Sequence, residues 1–132
     1  PVLSTIGLQS AMAIWADVDV NAAAKKHEGL SNLVHDLCDQ ELAEFGVSVA
    51  SPRNYAARGG HIALRHRSGN AVVEALAEND VICSFRTPNS IRFGLSPLTT
   101  RYVDIWDAIE RFRDVVQNET WRDPKFSKLK SI

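Results

Sequence analysis

No CxxC, HExxH, GxSxG or phosphate-loop glycine pattern occurs in this chain. Each absence removes a chemistry. Without CxxC pairs there is no dithiol redox centre and no cysteine zinc site. Without HExxH there is no zincin-type metal helix. Without GxSxG there is no strand-to-helix nucleophile elbow. Gly59-Gly60 stands alone, outside either nucleotide-binding glycine pattern. Charge of one sign is also lacking: the net charge is −1 across 132 residues, with no long acidic or basic run. Nucleic acid and anionic membrane are therefore not expected as main partners. No segment approaches ~18 consecutive apolar residues, so no membrane-spanning helix is expected. No signal-peptide pattern is recognisable either.

Cysteine is scarce. Cys38 and Cys83 both lie in apolar patterns, which fits buried free thiols in a cytoplasmic protein better than a disulfide framework. His35 precedes Cys38 by one helical turn, but Cys38 belongs to the apolar stripe and reads as a packed thiol. Of the four histidines, His27 and His35 are two helical turns apart, roughly 12 Å, too far to share an ion. His61 and His66 fall on opposite faces of a strand. No metal site is expected. The pairs Asp36/Asp39 and Glu41/Glu44 read as a solvated helix face. Methionine is rarer still: the only one is Met12, and the chain begins Pro1-Val2-Leu3-Ser4. We expect a piece of a longer polypeptide.

What is present is an ordinary globular balance, 45% hydrophobic and 23% charged. Leu3–Ala16 is helical in character, with Ile6, Leu8, Met12, Ile14 and Trp15 spread round the helix. Such a helix is either central in its own domain or packed on something outside this sequence. Asp19 caps a long helical signal, Val20–Phe45, which Gly46 closes. Its apolar repeat runs through Leu30, Leu33, Val34, Leu37, Cys38, Leu42 and Phe45. The first half is more polar and reads as a connector, with a bend at Gly29. Val47–Ala50 is a short strand, and His61–His66 alternates, placing Ile62, Leu64 and His66 on one face. A short helix through Ala77 follows, capped at Ser68 or Asn70. Thr99 or Thr100 caps a last amphipathic helix to about Asn118, with Tyr102, Ile105, Trp106, Ile109, Phe112 and Val116 as its stripe. Trp121 and Phe126 anchor a tail that carries Lys125, Lys128 and Lys130.

Between the last two helices lie two apolar runs, Val81–Phe85 and Ile91–Leu95. Arg86, Thr87, Pro88, Asn89 and Ser90 separate them with turn chemistry, which reads as an antiparallel hairpin. If Ile91 and Phe93 point into the core, Arg92 points away from it. Gly94 would admit a ligand or a backbone closely. A guanidinium held on a strand suits bidentate recognition of a carboxylate or phosphate. From spacing alone, an ordinary arginine on a wet sheet face is the plainer reading. The whole order predicts an α+β two-layer small domain: a short antiparallel or mixed sheet with helices packed on one face, preceded by a long connecting helix.

Three quoted stretches carry a family resemblance. SFRTPNSIRFGLSPLTTRYVDIWDA resembles the kynureninase pattern F-R-x-P-[DN]-x-x-R-F-G-x-x-P-L followed by R-Y-x-D-x-W-D-A. PVLS at the start and SPRNYAARGG are similar to P-[IV]-L-S and S-P-R-x-x-x-x-R-G of the same family. The resemblance is collinear over nearly the whole chain. It implies a pyridoxal-phosphate enzyme of the aspartate-aminotransferase fold, a homodimer that hydrolyses kynurenine to anthranilate and alanine in tryptophan catabolism, toward NAD biosynthesis. It implies that residues 1–18 pack on a large domain absent here and that residues 19–132 are the small domain. It gives Arg92 the substrate-carboxylate role, reversing the plainer reading. Arg86 and Arg101 match motif positions and read as structural. Thr99 departs from the tyrosine that often follows P-L, which leaves packing near the cleft open.

The lysines are Lys25, Lys26, Lys125, Lys128 and Lys130. All lie in polar contexts and none matches the family's Schiff-base position. A Schiff-base lysine needs a lowered pKa in a cofactor pocket. We therefore expect no bound cofactor and no activity from this chain alone. Two other readings stand beside this one: a non-enzymatic α+β module that binds a partner or self-associates, and the small domain of another enzyme of the same fold, such as a desulfurase-like relative.

Overall fold

Hydrophobic alternation on short strands and three-to-four spacing on helices resolve into two layers. The structure, a computed structural model, describes residues 2–126; Lys128 and Lys130 lie outside the described residues. Among the described residues there are four α-helices, α1 (Val2–Ala16), α2 (Val20–Leu37), α3 (Gly69–Glu78) and α4 (Tyr102–Gln117). Four strands form one sheet: β1 (Ser48–Val49), β2 (His61–Arg65), β3 (Ser84–Arg86) and β4 (Ser90–Gly94). The strand order is β1-β2-β4-β3 and every pairing is antiparallel, so the mixed option is discarded.

The sheet has one dry face. Ile62 and Leu64 on β2 and Ile91 on β4 are fully buried, and Phe93 is nearly so. Each such side chain removed from water contributes roughly 1.5–3 kcal/mol, an upper estimate. Phe93 stacks on Phe112 of α4, with ring centroids 6.2 Å apart. Leu30, Val34 and Leu37 of α2 and Val72, Ala75 and Leu76 of α3 complete that core. His66, expected on the same face as Ile62 and Leu64, is buried too, edge-on to Trp121 at 5.3 Å. Phe126 is buried and Trp121 half-buried, so both anchors of the tail hold.

The long helical signal breaks earlier than its periodicity implied. Asp19 caps α2 by accepting from the amides of Asn21 and Ala22. Regular helix ends at Leu37, then a π turn spans Cys38–Leu42 and a 3-10 turn spans Ala43–Phe45. The wider turn keeps both Cys38 and Leu42 in the core. Gly46, at φ 78°, closes the run in the left-handed region that glycine favours. The helix is not interrupted at Gly29; α2 is continuous through it. Glycine suits the position because the hydroxyl end of Tyr102 lies where a β-carbon would stand, so any other residue would push that side chain aside.

The start of α4 also differs. Its N-cap is Arg101, not Thr99 or Thr100. Asp104 reaches back to accept from the Arg101 amide at 2.7 Å, which satisfies the N-cap amide and fixes the helix start there. The buried stripe is Ile105, Ile109, Phe112, Val115 and Val116. Tyr102 and Trp106, placed on the stripe by spacing, are about half exposed, because they sit at its edge.

Helix α1 buries nothing: no residue of Val2–Ala16 is buried, and Ile6, Leu8, Met12, Ile14 and Trp15 are all exposed. It is not the central helix of this domain. No described helix is long and apolar enough to cross a membrane.

Candidate functional site

Period-two alternation on three paired strands fixes what shares the open face of the sheet. On β4, Ile91 and Phe93 point inward, so Ser90 and Arg92 point outward. Cross-strand register then lays out two rows. Arg65, Ser90 and Arg86 stand side by side on β2, β4 and β3. Ala63, Arg92 and Ser84 form the next row. Neighbouring strands are ~4.8 Å apart, so Arg65 and Arg86 root about 10 Å from each other, and each lies roughly 7–8 Å diagonally from Arg92.

Arg92 behaves as the hairpin geometry required. It is half-buried, and its Nε is shielded from solvent without a hydrogen-bond partner. No ion pair holds its guanidinium among the described residues. Arg65 and Arg86 are exposed and likewise have no carboxylate partner among the described residues. Other arginines are spent internally. Arg53 pairs with Asp39, Arg101 with Asp104, Arg111 with Asp80, Arg113 with Glu41 and Arg122 with Glu119. Arg58 donates to Ser31 Oγ, Asn32 Oδ1 and the Pro52 carbonyl, which ties the 51–60 loop to α2. Arg67 lies over the Trp121 ring. The arginines left without internal partners among the described residues, Arg65, Arg86 and Arg92, thus share one face, where a carboxylate or phosphate would meet several N–H donors.

Gly94, next outward on β4, has open space where a β-carbon would stand, so no backbone presses on it. It borders a cleft of about 290 Å³ at the end of β4, lined by Asp80, Asp104, Asp107 and Arg111 among others. Acidic groups therefore collect beside the strand end, while the strands that carry the arginines hold no Asp or Glu. Of the two motif arginines read as structural, Arg101 is so: it holds Asp104 at the start of α4, and that pairing keeps the carboxyl below its usual range. Arg86 has no internal role of that kind. Sequence reading missed Arg65 and the regrouping of Arg86. The alternation of both residues was visible, but their register against Ser90 was not.

The remaining candidates do not assemble into chemistry. Cys38 is buried and its thiol is pushed up to about 11; Cys83 is half-buried and pushed up to about 12, both by burial. Both are free thiols. Neither fits an activated nucleophile. His35 is buried, and burial, then Arg58 and Arg53, hold its pKa below the ordinary value. No described group of His, Cys, Asp or Glu could hold a metal. A Schiff-base lysine is not among the described residues either. Lys25 is exposed and Lys26 half-buried on the polar end of α2, with no cofactor-sized cleft beside them among the described residues, and Lys125 pairs with Glu78, which raises its pKa, opposite to what imine formation needs. The residues present do not make a pyridoxal-phosphate pocket.

Comparison with known proteins adds the family. Residues 23–112 match the model of the kynureninase C-terminal domain. The chain is 30% identical to the kynureninase of Pseudomonas fluorescens over 132 residues, all of this chain and 32% of that protein. It is 33% identical to the kynureninase of Burkholderia mallei strain SAVP1 over 127 residues, 96% of this chain and 30% of that protein. The chain thus spans about a third of the length of these curated relatives. Among solved structures, 8-amino-7-oxononanoate synthase from Francisella tularensis is similar, with a TM-score of 0.59 and 20% identity over 77% of this chain and 30% of that one. That likeness is one of fold. On the family match and the full-length identity, this chain belongs to the kynureninase C-terminal domain family.

Proposed function

We propose that this chain is the C-terminal part of a kynureninase-type hydrolase. The parent would use pyridoxal phosphate as electron sink and cleave kynurenine to anthranilate and alanine. The cofactor's lysine and phosphate contacts would come from sequence outside this chain, since the residues here do not fit them. This chain's contribution is Arg92, which pairs with the substrate α-carboxylate and orients it. The chain alone is inactive. The parent works as a homodimer in the cytoplasm, a compartment that suits the two reduced thiols.

One observation carries the reading. Arg92 presents an unpaired guanidinium from a central strand, on the face opposite the buried Ile91 and Phe93, at the motif position where the family resemblance puts the carboxylate ligand. Its partly shielded Nε makes a charge-assisted bond worth more there than in open water.

The test uses the full-length parent. Arg92→Gln removes a charged bond of about 3 kcal/mol, so kcat/KM for kynurenine should fall about a hundredfold or more. Arg92→Lys should recover only part of it, because the ammonium lacks the bidentate fork. An unchanged kcat/KM sinks the assignment. The 132-residue chain, given pyridoxal phosphate and kynurenine, should produce no anthranilate fluorescence.

A further inference from the structure

The arginine face holds more cation than one carboxylate uses. Arg65 and Arg86 flank Ser90 in a single cross-strand row, and Arg92 stands diagonal to both. Three guanidinium groups so placed repel one another. The chain has acids in number to neutralise them, 16 Asp and Glu in all, yet none lies on these strands. Five other arginines are each matched to a carboxylate elsewhere. The strands that carry the trio are short and rigidly paired, so the roots of the side chains cannot move apart. Between the arginines are only small side chains, Ala63, Ser84 and Ser90, so a ligand can reach the sheet surface.

We propose that Arg65 and Arg86, bridged by the Ser90 hydroxyl, form an oxyanion subsite beside Arg92, fit for a doubly charged group such as a phosphate. This rests on reading the face as the acid-binding side, and goes beyond Arg92's pairing with one carboxylate. The two long arms start about 10 Å apart on either side of Ser90, within reach of an ion that accepts from both. A phosphate offers several acceptor oxygens and close to two charges at neutral pH, and so uses both forks. A lone acetate engages one. The Ser90 hydroxyl supplies a neutral donor between them. The source of the group is open to two cases, a free inorganic ion or an acidic substituent of a small ligand, and both need the same pair of arginines.

The experiment titrates the 132-residue chain with inorganic phosphate, and separately with acetate and chloride. The amide resonances of Ser84, Ser90 and Gly94 report binding. We expect phosphate to saturate with a dissociation constant of about 1 mM at low salt, at least about tenfold tighter than acetate. Added sodium chloride should weaken it, since the site is exposed. The double variant Arg65→Gln/Arg86→Gln should lose at least about tenfold in phosphate affinity, whereas Arg92→Gln should lose less than about threefold. Both substitutions are on exposed or half-exposed positions, and an unchanged circular dichroism spectrum checks the fold. A propionate-bearing or phosphate-bearing amine tested alongside separates a small-ligand substituent from the free ion. Equal, weak effects of phosphate, acetate and chloride would overturn the proposal, as would binding that survives the double variant. Binding lost with Arg92→Gln alone would overturn it too, leaving Arg92's own role intact. That role is read separately, from kcat/KM of the parent. Should only an acidic polypeptide, and no small anion, shift these resonances, the face is a protein contact and the subsite is wrong.

Discussion

The phenol of Tyr102, at the first turn of α4, places its hydroxyl where a side chain at position 29 of α2 would carry its β-carbon. Two helices far apart in sequence are thereby held at close range by the absence of a side chain. The contact explains a glycine in the middle of a helix, where it costs about 1 kcal/mol relative to alanine. Gly29→Ala should therefore destabilise the chain by about 1 kcal/mol, as overpacking outweighs the better helix propensity. In a Tyr102→Ala background the same change should stabilise by about 1 kcal/mol, since only propensity remains. Urea unfolding of the four chains of this cycle checks the reversal of sign; the same sign in both backgrounds refutes the contact.

Phe112 lies where the two layers meet. It is fully buried and stacks on Phe93, the inward neighbour of Arg92. Phe112→Ala should cost about 3–5 kcal/mol through lost transfer energy and the cavity left behind. Because Phe93 and Arg92 are adjacent on β4, the loss should also loosen Arg92. Broadened amide resonances at Ile91–Phe93 in the variant check that link, and sharp, unshifted ones refute it.

Stability should fall in mildly acid solution. His35 and His66 both have lowered pKa values in the fold, chiefly through burial, with Arg58 and Arg53 adding to the effect on His35 and Arg67 to that on His66. The unfolded chain takes up these protons near its ordinary value of 6.5 while the folded chain still refuses them. Unfolding thus binds protons, and stability that is complete above 6.5 declines as pH falls toward the folded values. Carboxylates titrate near 4 and leave the window between about 5 and 6.5 to the histidines. Neither ring nitrogen of His35 has a hydrogen-bond partner, so His35→Leu removes a titrating group without breaking a described bond. The denaturation midpoint of that variant should vary less between pH 7.5 and 5.5 than the parent chain's. An equal or steeper dependence contradicts the assignment.

Much of this arrangement could be read before any coordinates. The alternation of His61–His66 and of Ser90–Gly94 is local, and it set the inward and outward faces correctly, Arg92 included. What joins Arg65 to Arg86 is not local. It depends on β2 pairing with β4 across α3 and β3, and register between distant segments leaves no mark in either one. The π turn at Cys38–Leu42 was hidden for the opposite reason: the apolar repeat continues through it, and one wider turn barely disturbs a three-to-four pattern. The capping of α4 shifted by one or two residues because Asp104 can reach back to a backbone amide as well as a threonine can reach forward.

The last prediction concerns α1, which carries Leu3, Ile6, Leu8, Met12 and Ile14 in full view of solvent. A helix apolar on several sides and buried on none contributes little to the stability of the layers behind it. The folded unit should therefore begin at Asp19, whose side chain caps α2 independently of anything before it. Removing residues 1–18 should leave the thermal midpoint within about 3 °C of the whole chain, because no buried contact is lost. The same deletion should reduce self-association, since an exposed apolar surface of this kind drives it. Sedimentation and a thermal scan on the two chains measure both effects. A drop of more than about 8 °C on truncation would mean that α1 packs on this domain after all, and that residues 1–18 are not the part awaiting a neighbour outside the chain.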